Sequence, residues 1–156
     1  MAKAGYTITT GGTVALVTAT AKSILGVTAP SSFGVDLTHY ELSFDGTLAT
    51  AAPVLVEICY ATFATNPPAT NSTAVPVTQT YGRSITAGFT AAKNWTTEPT
   101  VLTPLREHQL SPFGGVEIYD FPLGTSPDSA VSQGFVIRCN APAGVNVRAT
   151  MAFERC

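Results

Sequence analysis

The sequence predicts an all-β protein, an antiparallel β-sandwich of jelly-roll-like design. Three observations carry that prediction. Thr- and Val-rich stretches that alternate apolar and polar residues recur along the whole chain. Pro or Gly interrupts nearly every window long enough for a helix, and no stretch repeats its apolar residues at helical spacing. Many short strands separated by turn signals are the pattern of a sandwich or jelly roll.

Taken in order, Tyr6–Thr10 and Thr13–Ala21 read as strands on either side of Gly11-Gly12, and Ser23–Thr28 continues in the same style up to Pro30. Residues 1–12 are expected to form an N-terminal arm, able to add a strand to a neighbour by β-augmentation, with residues 13–156 as a single β-sandwich domain. In Leu37–Phe44, Tyr40, Leu42 and Phe44 share one face, and His39, Glu41 and Ser43 the other. Asp45-Gly46 is a turn signal, although the flank "TLATAA" is a poor strand, so a longer connection competes with a tight hairpin. Pro53–Phe63 is the strongest strand, apolar on both faces, which suits a central position covered on both sides.

"ATNPPATNSTAVPV" and "TAAKNWTTEP" read as exposed loops, with short strands at Thr78–Arg83 and Ser84–Phe89 between them. Val101–Leu110 has strand character broken by Pro104, and Val116–Phe121 is a short alternating strand bracketed by Gly114-Gly115 and Pro122. The end of the chain is the most regular part. Folded as a hairpin across Ala141-Pro142-Ala143, Phe135, Ile137 and Cys139 fall opposite Ala149, Val147 and Val145, and the same register extended outward sets Val131 against Phe153. That regularity marks the tail as part of the core sheet.

At 156 residues the chain is long enough for one domain with a sizeable core. Charged residues are only 12%, about half the usual share, so the surface is dominated by small uncharged side chains and carries little self-repulsion. This favours a protein that lives in an assembly. A net charge of −2 with scattered Lys and Arg argues against nucleic acid as a partner. Val14–Val27, interrupted by Thr, Lys and Ser, is too short to span a membrane, and the N-terminus lacks the apolar core of a signal peptide, so synthesis in the cytosol without export is expected. Cys59, Cys139 and Cys156 follow no disulfide or zinc spacing and read as free thiols.

Catalytic chemistry is hard to assemble from these residues, and no enzyme activity, cofactor or metal is expected. His39 and Glu41 lie on one strand face as metal ligands can, but further histidines are missing. Arg106-Glu107-His108 is the densest charged cluster; it can seat an anion or a partner's side chain, or be a solvated turn with a weak ion pair. Asn71-Ser72-Thr73 and Asn94-Trp95-Thr96 match the glycosylation pattern, which has no use without export. Trp95, alone in its loop, can anchor a protein contact, cover the core or stack on a sugar. The candidate interface residues are therefore Tyr6 and Ile8 of the arm, Trp95, Arg106 and His108.

"HQLSPFGG", "DFPLG" and "GFVIRCNAPAGVNVRATMAFER" resemble a group of small all-β proteins from bacteriophage structural-gene regions, the virion surface or head-decoration proteins. The matching positions are His108, Pro112, Gly114, Pro122-Leu123-Gly124, Asn140–Ala143 and Val145–Arg148. The similarity covers about the last third of the chain well and Leu37–Phe63 loosely; it does not reach the N-terminal part. Its motifs describe turns and strands rather than chemistry. The resemblance implies a jelly-roll homotrimer, made in the host bacterial cytoplasm, that sits on the virion and clamps subunits of the major capsid protein. A carbohydrate-binding or receptor-binding β-sandwich module using Trp95 and the Asn/Thr-rich loops is the alternative.

Overall fold

A computed structural model describes residues 4–46 and 51–156. Residues 1–3 of the expected arm and most of "TLATAA" lie outside the described residues. Among the described residues twelve strands form two antiparallel sheets packed face to face, a β-sandwich. The strands are β1 (Gly5–Thr9), β2 (Val14–Leu16), β3 (Ala21–Thr28), β4 (Val35–Phe44), β5 (Val54–Ala61), β6 (Thr73–Ala74), β7 (Thr78–Tyr81), β8 (Thr90–Lys93), β9 (Leu102–Leu110), β10 (Val116–Asp120), β11 (Gly134–Asn140) and β12 (Val145–Arg155). The first sheet runs β10-β4-β12-β1-β7, with β2 also on β12; the second runs β6-β8-β3-β11-β5-β9.

Side-chain alternation decides which residues enter the core. Tyr40, Leu42 and Phe44 of β4 and Val145, Val147, Ala149, Met151 and Phe153 of β12 all point inward and are buried. Phe135, Ile137 and Cys139 of β11 and Val54, Val56 and Ile58 of β5 meet them from the other sheet. Each fully buried Leu, Ile, Val or Phe among these contributes about 1.5–3 kcal/mol. β5 lies between β11 and β9, the central place its two apolar faces demand.

The closing hairpin is corrected by the sheet assignment. β11 and β12 do not pair with each other: β11 lies between β3 and β5 in the second sheet, and β12 lies between β4 and β1 in the first. The residues between them form an arch from one sheet to the other. Both apolar faces still point inward, now across the sandwich instead of side by side. Val131 is half exposed in a loop rather than opposite Phe153, which pairs with Tyr6 and Leu37. Alternation specifies the buried face of a strand, not its neighbour.

The arm is corrected as well. Gly5–Thr9 is β1, held between β12 and β7, and Tyr6 and Ile8 are each 1% exposed. The Tyr6 ring stacks on Phe153 and meets Phe89 edge-on, and its hydroxyl donates to the Ile85 carbonyl at 3.2 Å. An alternating Tyr-x-Ile segment gains more by entering its own core than by waiting for a neighbour. Two smaller corrections concern the middle of the chain. Ser84–Phe89 is not a strand, and the stretch read as an exposed loop after it supplies β8 on β3.

Of the eight longest-paired strands, β1, β3, β4, β5, β9, β10, β11 and β12, successive members change sheet at every step except from β5 to β9. That winding brings the β9 edge of one sheet over the β10 edge of the other, and it positions the cluster described next.

Candidate functional site

Where β9 and β10 flank one another, polar side chains fill the space between the sheets. Alternation along β9 turns Arg106 and His108 inward, and alternation along β10 turns Glu117 and Tyr119 inward to meet them. Tyr40, fully buried on β4, stands at the centre. Its hydroxyl donates to Glu117 Oε1 at 2.7 Å and accepts from Arg106 Nε at 3.2 Å. His108 Nε2 meets Glu117 Oε2. The Arg106 guanidinium lies 3.8 Å above the centre of the Tyr119 ring, a cation–π contact. Tyr40 stacks on Tyr119 at 5.6 Å and, more loosely, on His108 at 6.5 Å.

The electrostatics follow from this packing. Burial, reinforced by the hydrogen bond to Glu117, pushes the Tyr40 phenol well above its ordinary value, so it remains a donor. Burial lowers the His108 imidazole; Glu117 pulls it back up and Arg106 adds to the lowering. Each polar group of this cluster faces another member of the same cluster. Chemically it is a clasp joining the two sheets at their open edge rather than a nucleophile and base presented to a substrate.

The other candidate residues are dispersed. Trp95 is 1% exposed and lies on the outer side of the second sheet, with Ala61, Phe63, Ala92 and Val136. Its ring covers Gly26, where an added Cβ would come within 3.1 Å of it, and its indole N–H donates to the Asn66 carbonyl at 3.0 Å. Trp95 is thus a lid on the sheet and has no free face for a sugar ring. Tyr6 and Ile8 are in the core. His39 Nδ1 lies 2.7 Å from Asp120 Oδ1, on the outer face of the first sheet. Among the described residues no group of three or more His, Cys, Asp or Glu side chains could hold a metal ion.

Two surface depressions flank the first sheet. A groove of about 420 Å³ on its outer face has Glu41, Ser43, Arg148 and Thr150 as its floor, with Gly11-Gly12 and Val116 at its sides. A cleft of about 630 Å³ holds Asp36, Asp120, Asp128 and Glu154 together with Tyr81, whose hydroxyl bonds Glu154. The outer face itself is uncovered: Thr9, Glu41, Ser43, Arg148 and Thr150 look outward from β1, β4 and β12, and β10 adds Val116 and Ile118, 58% and 64% exposed.

Tyr40, Glu117 and Tyr119 are the members of the clasp that were not singled out from sequence. Glu117 carried a usable signal, being a carboxylate at an inward position of an alternating strand, which requires a partner across the core. No family model matches the chain, and neither does any curated protein or solved structure.

Proposed function

We propose that the chain is a structural virion protein, a capsid decoration protein that binds the outer surface of a phage head and stabilises the shell as an oligomer. The observation that carries this reading is the uncovered outer face of the first sheet. It is grooved, rich in Thr and Ser around the opposed charges Glu41 and Arg148, and edged by the exposed aliphatic side chains of Val116 and Ile118. Such a face offers another protein aliphatic contacts at its edge and hydroxyl groups and opposed charges to pair with at its centre. The strand order β1-β12-β4-β10 over β3-β11-β5-β9 supports the jelly-roll reading and agrees with the resemblance of the C-terminal motifs. The His108–Glu117 pair lies between the sheets and Arg138–Glu57 on the outer side of the second sheet, whereas His39 pairs with Asp120 on the binding face itself.

The experiment is co-sedimentation with expanded phage capsids stripped of their decoration, followed by electron microscopy of the pellets. The protein is expected to pellet with the capsids in a saturable ratio. Thr150→Lys, in the middle of the outer face, is expected to lower occupancy by about tenfold or more while the protein melts as before. Capsids that bind none of the unmodified protein would overturn the reading.

A further inference from the structure

A sandwich has sheet edges, and each edge strand offers unpaired N–H and C=O groups to any chain that can reach them. Four of the five edge strands here are protected, β2 by having only three residues. β6 has two residues; β7 has four and meets β1 through a register shift; β9 carries Pro104, a register shift beside it and the exposed carboxylate Glu107. β10 is the least protected: its one exposed charge, Asp120, stands at its last position beside His39 of β4, 2.7 Å away. Its five residues keep an unbroken register with β4, it contains neither Pro nor Lys, and its outward side chains include Val116 and Ile118. Among the described residues it pairs only with β4.

The hydrogen-bond phase shows what the edge offers. Phe44 N–H donates to the Gly115 carbonyl and Phe121 N–H to the Thr38 carbonyl, at 3.0 and 2.9 Å. In that phase Glu117 and Tyr119 direct their backbone groups at β4, and Val116, Ile118 and Asp120 direct theirs out of the sheet. We infer that β10 pairs with β10 of a second copy of this chain, antiparallel, about a two-fold axis at Ile118. That axis sets Ile118 against Ile118, Val116 against Asp120, and Glu117 against Tyr119, so no like charges face each other. All three edge-directed residues then lie in hydrogen-bonded pairs, giving about six bonds. The same operation on β9 about Glu107 would place two carboxylates face to face, which is why the second copy belongs at β10. Pairing there makes the first sheet continuous across both copies and doubles the outer face.

This does not depend on capsid binding: solution mass reads the pairing, and capsid co-sedimentation reads the other proposal. The test is light scattering behind size exclusion over a dilution series reaching concentrations on the order of 100 µM. A dimer that dissociates on dilution is expected. Ile118→Lys sets two ammonium groups opposite each other, and Ile118→Pro removes an edge-directed N–H that β4 does not use. Each is expected to weaken the dimer by about tenfold or more while melting close to the unmodified protein. Hydrogen-bonded antiparallel partners lie about 5.5 Å apart at Cα, within disulfide reach. In a Cys156→Ser background, Ile118→Cys is therefore expected to give a disulfide-linked dimer on oxidation, and Thr80→Cys on the β7 edge is not. A monomer throughout, a trimer, or a dimer that survives Ile118→Lys without forming the Ile118→Cys cross-link would overturn the inference.

Discussion

At the scale of single residues, burial gives His108 and Trp95 their importance. In the folded chain the His108 imidazole releases its proton more readily than it does unfolded, because burial disfavours the cation more than Glu117 favours it. Between its lowered folded value and the ordinary value of about 6.5, the unfolded chain therefore binds more protons. Stability is expected to be complete above that window, to decline as pH falls through it, and to level off below it. Urea midpoints measured from pH 8 to pH 5 check this, and His108→Gln is expected to flatten that part of the curve. Trp95 permits a plainer test. Trp95→Ala empties the space above Gly26 and leaves the Asn66 carbonyl without its donor, so a loss of about 3–5 kcal/mol is expected in chemical denaturation. A change below about 1 kcal/mol would mean that the lid is not closed in solution.

At the scale of elements, β5 and β11 show what alternation reveals and what it hides. Their outward positions bring Glu57 opposite Arg138, with Arg138 Nε and Nη2 donating to the two carboxylate oxygens at 2.6 and 2.9 Å. The Glu57 side chain is only 8% exposed, so deleting its charge strands a guanidinium in a poorly hydrated place. Glu57→Gln is expected to destabilise the protein by about 3 kcal/mol, whereas an apolar pair of similar volume at both positions should fold nearly as well, as urea unfolding of the two variants would show. The sequence made β5 legible as a central strand because both of its faces are apolar apart from Glu57. It also revealed the inward face of β12, residue by residue. It did not reveal that β11 and β12 belong to different sheets, because Ala141-Pro142-Ala143 suits an arch as well as a turn and both arrangements bury the same residues. The clasp of Arg106 and His108 with Tyr40 and Glu117 was hidden for the same reason: its members come from three strands whose adjacency depends on that winding.

At the scale of the whole molecule, the first sheet is closed by the pairing of β1 with β12. β12, the longest strand, lies between β4 and β1, so the last strand cannot reach its full set of partners without residues near the start. β7 depends on β1 too, because among the described residues β1 is its only strand partner. Removing residues 1–10 therefore does more than trim a terminus. It takes away the buried Tyr6 and Ile8, about 3–6 kcal/mol of apolar burial between them, and opens one side of β12. A domain of this size is stable by only about 5–15 kcal/mol in total. The shortened protein is expected to aggregate or to lose its near-ultraviolet circular dichroism. Ile8→Ala, losing about 2–5 kcal/mol, should still fold but with a lowered denaturation midpoint. A shortened chain that kept its near-ultraviolet spectrum and a sharp unfolding transition would return these residues to the role of an arm. If instead it fails to fold and Ile8→Ala is weakened in proportion, β1 belongs to the core, and the association proposed above is left the surfaces the closed sandwich leaves open, the β10 edge and the outer face beside it.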